Sequence, residues 1–310
     1  MRLLYFKANN FGDELNPIIF NKLIPEAFAD PNDNVDFLGI GSIIGLNKVL
    51  DAREGSRKII FGSGASPNYM KNAGPFSLDK NYEVFCVRGP MTAKLLGLDD
   101  SLAITDSAAL LRGVIEPRVG QKKFKFSFMP HFESEDLYPW KSICEELGIK
   151  YVSPRAEPLD IIDIIQSSEV VLAEAMHYAI VADVLRTPWI PVKIYSHIDS
   201  FKWMDWCKSL DITTYQPVEL DPVFQRRENY GQVLHHRFQS KYSIGLPGLL
   251  RSGVDALSNS YVRGIVKKNI KKLNEAMSLS PQLSRDEVLN HKTDLLFGKL
   301  DEFKARYLKS

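Results

Sequence analysis

A histidine heads the stretch EAMHYAIVADVLRTP (174–188), directly after the β-branched run SSEVVLA (167–173). A second, His131 in MPHFES, stands in the same relation to the run FKFSFM. Imidazole exchanges protons near neutral pH, so two of them at strand ends suit general acid–base work. For His177 the plainer local reading is a core histidine satisfied by a backbone carbonyl. The loop NNFGDE (9–14) brings Asn10, Gly12 and Asp13 to the mouth of a helix. Glycine there lets backbone amides approach a ligand, and the helix N-terminus favours an anion. An N-cap role for Asp13 is just as ordinary.

Two glycine turns, GIGS (39–42) and GSGAS (62–66), each follow a strand-like run and offer Gly41, Ser42 and Gly64 to an anion or hydroxyl pocket. Neither fits the dinucleotide fingerprint, and no Gly-Lys-Ser/Thr phosphate loop occurs. Arg88 in VRGP lies between a strand and a helix that Pro90 would open. Its forked guanidinium suits phosphate or carboxylate, and a surface cation at a helix start would oppose the dipole, which favours a functional role. Lys202 follows the last clear strand in SFKWMDW, where the tryptophans would either floor a sugar ring or pack as an aromatic corner.

The elements that must position these groups alternate between two periodicities. RLLYF (2–6), VDFLGI, KIIF and YEVFCV read as strands, and LNPIIFNKLI (15–24) has helical spacing. Strand–turn–helix units in series imply α/β architecture with a doubly wound parallel sheet. EPRVGQKK (116–123) is the linker candidate, after which FKFSFM, KYVSP, SSEVVLA and WIPVKIY supply a second series of strands. This predicts an N-terminal domain over 1–118, a second over 119–215 and a basic helical extension over 216–310. Ligands in such sheets bind outside the carboxyl ends of the strands, in a cleft between the two domains.

Apolar content of 45% and charged content of 25% belong to an ordinary soluble globular protein. A net charge of +1 argues against wholesale nucleic-acid binding. Residues 231–310 nevertheless carry 14 Lys and Arg against 7 Asp and Glu, so a basic tail adjoins a slightly acidic body. The tail is either a solvated helical face packed onto the protein or a contact for an anionic surface. In VRGIVKKNIKKL, Val266, Ile270 and Leu273 lie opposite several lysines, as in an interfacial helix. Cys86, Cys144 and Cys207 are odd in number and widely spaced, so neither disulfides nor a zinc knuckle is indicated. Polar residues break the N-terminal apolar run, and no stretch reaches the length of a spanning helix. The expectation is a cytoplasmic protein, with peripheral inner-membrane contact as one reading of its tail.

Taken in order, these turns resemble the polysaccharide pyruvyl transferase family. The resemblance covers about residues 5–210. It runs from Asn-x-Gly-Asp-Glu at Asn10–Glu14 through the turns at Gly39–Ser42 and Gly62–Gly64, Arg88-Gly-Pro-x-Thr and Asp106 in TDSAAL, to the His177 helix and Lys202. EAMHYAIVADVLRTPW is most similar to the branch that places pyruvyl ketals on bacterial exopolysaccharides such as succinoglycan. The resemblance implies two Rossmann-like domains in a glycosyltransferase-B-like fold. It implies phosphoenolpyruvate as co-substrate, a lipid-linked oligosaccharide acceptor and no cofactor. No metal-ligand cluster stands out in the sequence, so metal-independent transfer is expected. Carried over, Arg88 holds donor anions and His177 is the histidine of an Arg-Leu-His triplet. Here Ala175 takes the arginine position. Arg186, Lys193 and Lys202 are the candidates to replace that charge.

The resulting expectation makes His177 the acid–base residue, with His131 or Asp13 assisting at the acceptor. Asn10, Gly12, Gly41, Ser42, Gly64, Arg88 and Lys202 hold the donor. A nucleotide-sugar glycosyltransferase of the same fold is the alternative enzyme. A carbohydrate- or scaffold-binding member of a polymer assembly is the non-enzymatic one.

Overall fold

The alternating runs do fold as strand–turn–helix units, and the computed structural model lays their strands in two all-parallel sheets. It describes the chain except residues 31, 48, 49, 74, 75, 119, 196, 197, 223–247, 309 and 310. The polar or basic stretches around His197, His235 and His236 predict exposed histidines, and GLPGLLRSGVDAL (245–257) predicts a helix, but these three histidines and residues 245–247 lie outside the described residues.

The first sheet contains β1 (Arg2–Leu4), β2 (Val35–Leu38), β3 (Arg57–Phe61) and β4 (Tyr82–Cys86). Its strands lie in chain order, with Leu3 beside Phe37 and Phe37 beside Ile59. Sequential order means that every crossover runs the same way, so this sheet has no reversal and is not doubly wound. The second sheet runs β6 (Lys150–Tyr151), β5 (Phe124–Met129), β7 (Ser168–Ala173), β8 (Trp189–Lys193) and β9 (Val218–Glu219). From β5 the chain moves outward to β6, whereas from β7 it moves the opposite way to β8. The carboxyl ends of β5 and β7 thus form a switch point, where diverging connections leave a crevice. His131 follows β5 and His177 follows β7.

Helix α1 spans Phe11–Leu23, four residues earlier than its apolar spacing from Leu15 predicts. Phe11, Leu15 and Ile19 form one buried stripe, so the NNFGDE loop is half helix. Asn10 takes the N-cap position and Asp13 lies inside the first turn, not at the cap. After β3 comes α2 (Pro67–Ala73), and α3 (Pro90–Leu96) follows Arg88 with Pro90 in its first turn, as expected. A 3-10 helix, Ser107–Gly113, closes this half. In the second half, α4 (Trp140–Leu147) and α5 (Pro158–Gln166) flank β6, and α6 (Met176–Val184) and α7 (Ser200–Ser209) flank β8. Helix α6 is buried nearly all round and packs on α1, α5 and the 3-10 helix. One cluster of buried side chains therefore runs from Phe37 and Phe61 of the first sheet to Val171 and Ala173 of the second.

The last two helices pack on different sheets. Helix α8 (Gly248–Ala276) lays Val266, Ile270 and Leu273 against the second sheet's core, and buried Asn269 donates to Tyr138 Oη at 2.8 Å. The stripe that could have entered a lipid interface is committed to the protein's own sheet. Helix α9 (Asp286–Tyr307) covers the first sheet, where Phe303 packs edge-on against Phe37 and Phe85 at 5.4 and 5.6 Å. Among the described residues, no helix is long and apolar enough to cross a membrane.

Candidate active site

The carboxyl edges of the two sheets face a shared cavity of about 430 Å³, a size typical of small-ligand sites. Asn10, Gly12, Asp13, Gly41, Ser42, His131, His177 and Lys202 all line it. Residues from 6 to 203 reach it, so neither half builds the site alone. Helices α1, α6 and α7 all begin at its wall. Helix N-termini carry partial positive charge and amides with no acceptor in their own helix. The Asp199 carboxylate already accepts from the Phe201 amide of α7 at 2.9 Å, so α1 and α6 are the termini that lack a side-chain cap and suit an anion.

Gly12 allows α1 to approach His177. A Cβ at Gly12 would stand 2.2 Å from His177 Nδ1, which only a glycine avoids. On the ring's other side, Nε2 faces Asp106 Oδ2 at 3.7 Å, and both atoms are buried with no hydrogen-bond partner. Asp106 caps the 3-10 helix, accepting from the Ala108 amide at 3.0 Å. Asp13 accepts from Asn10 Nδ2 at 2.8 Å, and burial holds its carboxyl above the usual range against the pull of Asn10, His177 and Lys202.

His131 is placed by Glu174, a wholly buried carboxylate at the end of β7. Glu174 accepts from the His131 amide at 2.9 Å, the Ser134 hydroxyl at 2.5 Å and the Ile194 amide at 3.2 Å. It thereby ties the β5, β7 and β8 ends together beneath the cavity. Burial raises its carboxyl to about 7 despite those donors.

Of the three cations considered for the charge missing at Ala175, only Lys202 reaches the cavity. Arg186 turns away to Asp286 at 2.8 Å and to Ser284, and Lys193 donates to Ser200 Oγ at 3.4 Å. Burial, then the neighbouring Arg88 cation, lowers the Lys202 ammonium to about 8, while Asp199, Asp13 and Glu133 oppose the shift.

Arg88 and Gly64 are the two predicted donor residues that do not line the cavity. Arg88 is fully buried below Gly64, whose Cβ would fall 2.2 Å from the guanidinium carbon. Its Nε pairs with Asp205 Oδ2 at 3.1 Å, and Nη1 donates to Ser42 Oγ at 2.7 Å. Asp205 also accepts from the amides of Met91 and Thr92 and from the Thr92 hydroxyl. That carboxylate from α7 sits on the N-terminus of α3, which resolves the clash between an arginine and a helix dipole. Arg88 reaches the cavity wall through Ser42, while its Nη2 is buried with no hydrogen-bond partner among the described residues.

Trp203 and Trp206 pack with Trp189 and Tyr215, and Trp203 stacks on Tyr215 at 5.2 Å. The aromatic corner is therefore real, and one member, Trp203, also borders the cavity. Sequence reasoning gave no role to Glu174, Asp199 or Asp205, and named Asp106 only as a point of family resemblance in TDSAAL. Only Asp106 and Asp199 carried a local signal, an acid at a helix start. Among the described residues, no group of three His, Cys, Asp or Glu is arranged to hold a metal ion.

Polysaccharide pyruvyl transferase is the family whose pattern matches residues 5–196, a span that contains every cavity residue up to His177. The succinoglycan biosynthesis protein ExoV of Rhizobium meliloti (strain 1021) is 36% identical over 230 residues, covering 74% of this chain and 70% of that protein. With a single ordered match across both sheets and a close relative over most of its length, the chain belongs to the polysaccharide pyruvyl transferase family.

Proposed function

We propose that the protein transfers pyruvate from phosphoenolpyruvate to a sugar of an exopolysaccharide precursor, as a cyclic ketal. The observation that carries this reading is the meeting of His177, Asp13 and Lys202 with the N-termini of α1 and α6 in one cavity. Phosphoenolpyruvate brings a carboxylate and a phosphate, which need oriented amides and a cation. The site supplies both, while family membership and the succinoglycan relative narrow the chemistry to pyruvyl transfer. A cavity between the carboxyl edges of two parallel sheets also accords with a glycosyltransferase-B-like arrangement.

The reaction balances without any further reagent. The donor methylene gains one proton and becomes a methyl group. Two sugar oxygens bond to the central carbon, the C–O bond to phosphate breaks, and phosphate leaves with the second hydroxyl proton. His177 moves the proton between hydroxyl and donor, with His131 or Asp13 assisting at the acceptor. Lys202 and the first-turn amides of α6 hold the donor, in water-poor surroundings that strengthen each contact. Arg88 supports Ser42 from below.

Phosphate release from phosphoenolpyruvate, measured with and without a membrane extract holding lipid-linked oligosaccharides, tests the reading. Acceptor-dependent release is expected. If phosphoenolpyruvate is inert while a uridine- or guanosine-diphosphate sugar protects the protein from thermal unfolding, the reaction is glycosyl transfer instead.

A further inference from the structure

Among the described residues, Asp106 is the buried carboxylate whose second oxygen is left without a hydrogen bond beside an equally unpartnered nitrogen of the candidate catalytic residue. Oδ1 is fixed by the Ala108 amide at 3.0 Å, so the group cannot rotate away without uncapping the 3-10 helix. Oδ2 then faces His177 Nε2 at 3.7 Å, about 0.8 Å beyond a charge-assisted hydrogen bond. Leaving two buried polar atoms unpaired costs free energy, and here each is the other's nearest remedy. Catalytic hydrogen bonds are commonly long before a ligand is bound and shorten when it arrives.

We infer that Asp106 is the positioning residue of an Asp106–His177 dyad. A carboxylate accepts but cannot donate, so it selects the imidazole tautomer with hydrogen on Nε2. Nε2 is sealed from solvent, which leaves Nδ1, beside Gly12, as the nitrogen able to meet a substrate. In that tautomer Nδ1 carries a lone pair and acts as a base. It takes the proton of the attacking sugar hydroxyl as that oxygen bonds to the donor's central carbon. The ring then holds a positive charge that Asp106 offsets, and it returns the proton to the donor methylene. A second charged group acting on the ring is Asp13 of α1, itself within reach of Lys202's field. Asp13 lies on the cavity side, where a bound hydroxyl would intervene, so it cannot fix the buried nitrogen.

The proton-transfer step rests on the pyruvyl-transfer reading, but the dyad itself does not, and the test separates the two. In full-length protein carrying ¹⁵N-histidine, the nitrogen shifts of His177 report its tautomer without any substrate; His177→Gln identifies the signal. Wild type is expected to be the Nε2–H form. Asp106→Asn keeps an oxygen for the Ala108 amide but presents an NH₂ group to Nε2, so His177 should change to the Nδ1–H form. Turnover should then fall about a hundredfold or more, with KM for phosphoenolpyruvate changed less than about threefold. A wild-type Nδ1–H tautomer overturns the dyad, whatever the reaction proves to be. So does an unchanged tautomer in Asp106→Asn. If wild type has the Nε2–H form yet phosphoenolpyruvate is not consumed, the dyad stands and the pyruvyl-transfer reading fails.

Discussion

Replacing Gly12 by alanine would move the imidazole of His177 without touching that residue. The new Cβ would meet Nδ1 at 2.2 Å and Cγ at 2.7 Å, whereas ordinary contact begins at 3.4 Å. One side must therefore yield by about 1 Å. Helix α1 is the worse candidate to move. Phe11, Leu15 and Ile19 anchor it in the core, and Asn16 locks it to Ile40 through bonds of 2.8 and 3.1 Å. The ring is partly exposed and lies at the start of its own helix, so the ring moves and loses its register with Asp106. A misplacement of about 1 Å at a reacting group costs on the order of a hundredfold in rate. Stability should change little, because alanine has the better helix propensity by up to about 1 kcal/mol and offsets part of the local strain. The assay is steady-state phosphate release paired with a thermal melt. Gly264→Ala, in α8 with nothing near its Cβ, is the control and should leave turnover unchanged. A folded Gly12→Ala protein with turnover within about threefold of wild type would refute the packing argument.

Three other perturbations test the surroundings of the site. Arg88→Met strands the buried Asp205 carboxylate and should cost about 3–5 kcal/mol in denaturant unfolding; a loss under about 1 kcal/mol would mean the pair is not structural. Glu174, raised to about 7, keeps a proton in the fold that the unfolded chain loses near 4.5. The fold thus binds more protons across that window, and stability falls as pH rises from about 4.5 to 7, by on the order of 3 kcal/mol from this group. Glu174→Gln should lack that fall, and parallel curves for the two proteins would contradict it. Lys202, lowered to about 8, is cationic below that pH and neutral above it. Affinity for phosphoenolpyruvate should therefore weaken between pH 7 and 9, and calorimetry on Lys202→Met should show no such loss.

What could be read from the sequence was governed by distance along the chain. The strands announced themselves because both faces are buried, as in VVLA of β7 and KIIF of β3. His131 and His177 were recognisable because each directly follows such a run. The early start of α1 was obscured by Gly12 and Asp13, which read as loop residues although Phe11 already continues the apolar stripe. Asp205 could not be found this way, since it meets Arg88 across 117 positions from the middle of an aromatic helix. That one hidden contact changes Arg88 from a cavity cation to a buried strut. Sheet order was equally hidden: nothing local to β1–β4 distinguishes sequential order from a reversal. The lysine-flanked apolar stripe of α8 was legible as a stripe, but only packing shows that the second sheet occupies it.

His177, in a cavity shared by both sheets, is proposed to transfer protons during pyruvyl transfer. Release of phosphate from phosphoenolpyruvate by purified His177→Gln, beside wild type and with a lipid-linked oligosaccharide acceptor, tests it most directly. The expected result is acceptor-dependent release by wild type and loss of about a hundredfold or more in the folded variant. Near-normal release by His177→Gln would remove the histidine from the chemistry and contradict the account.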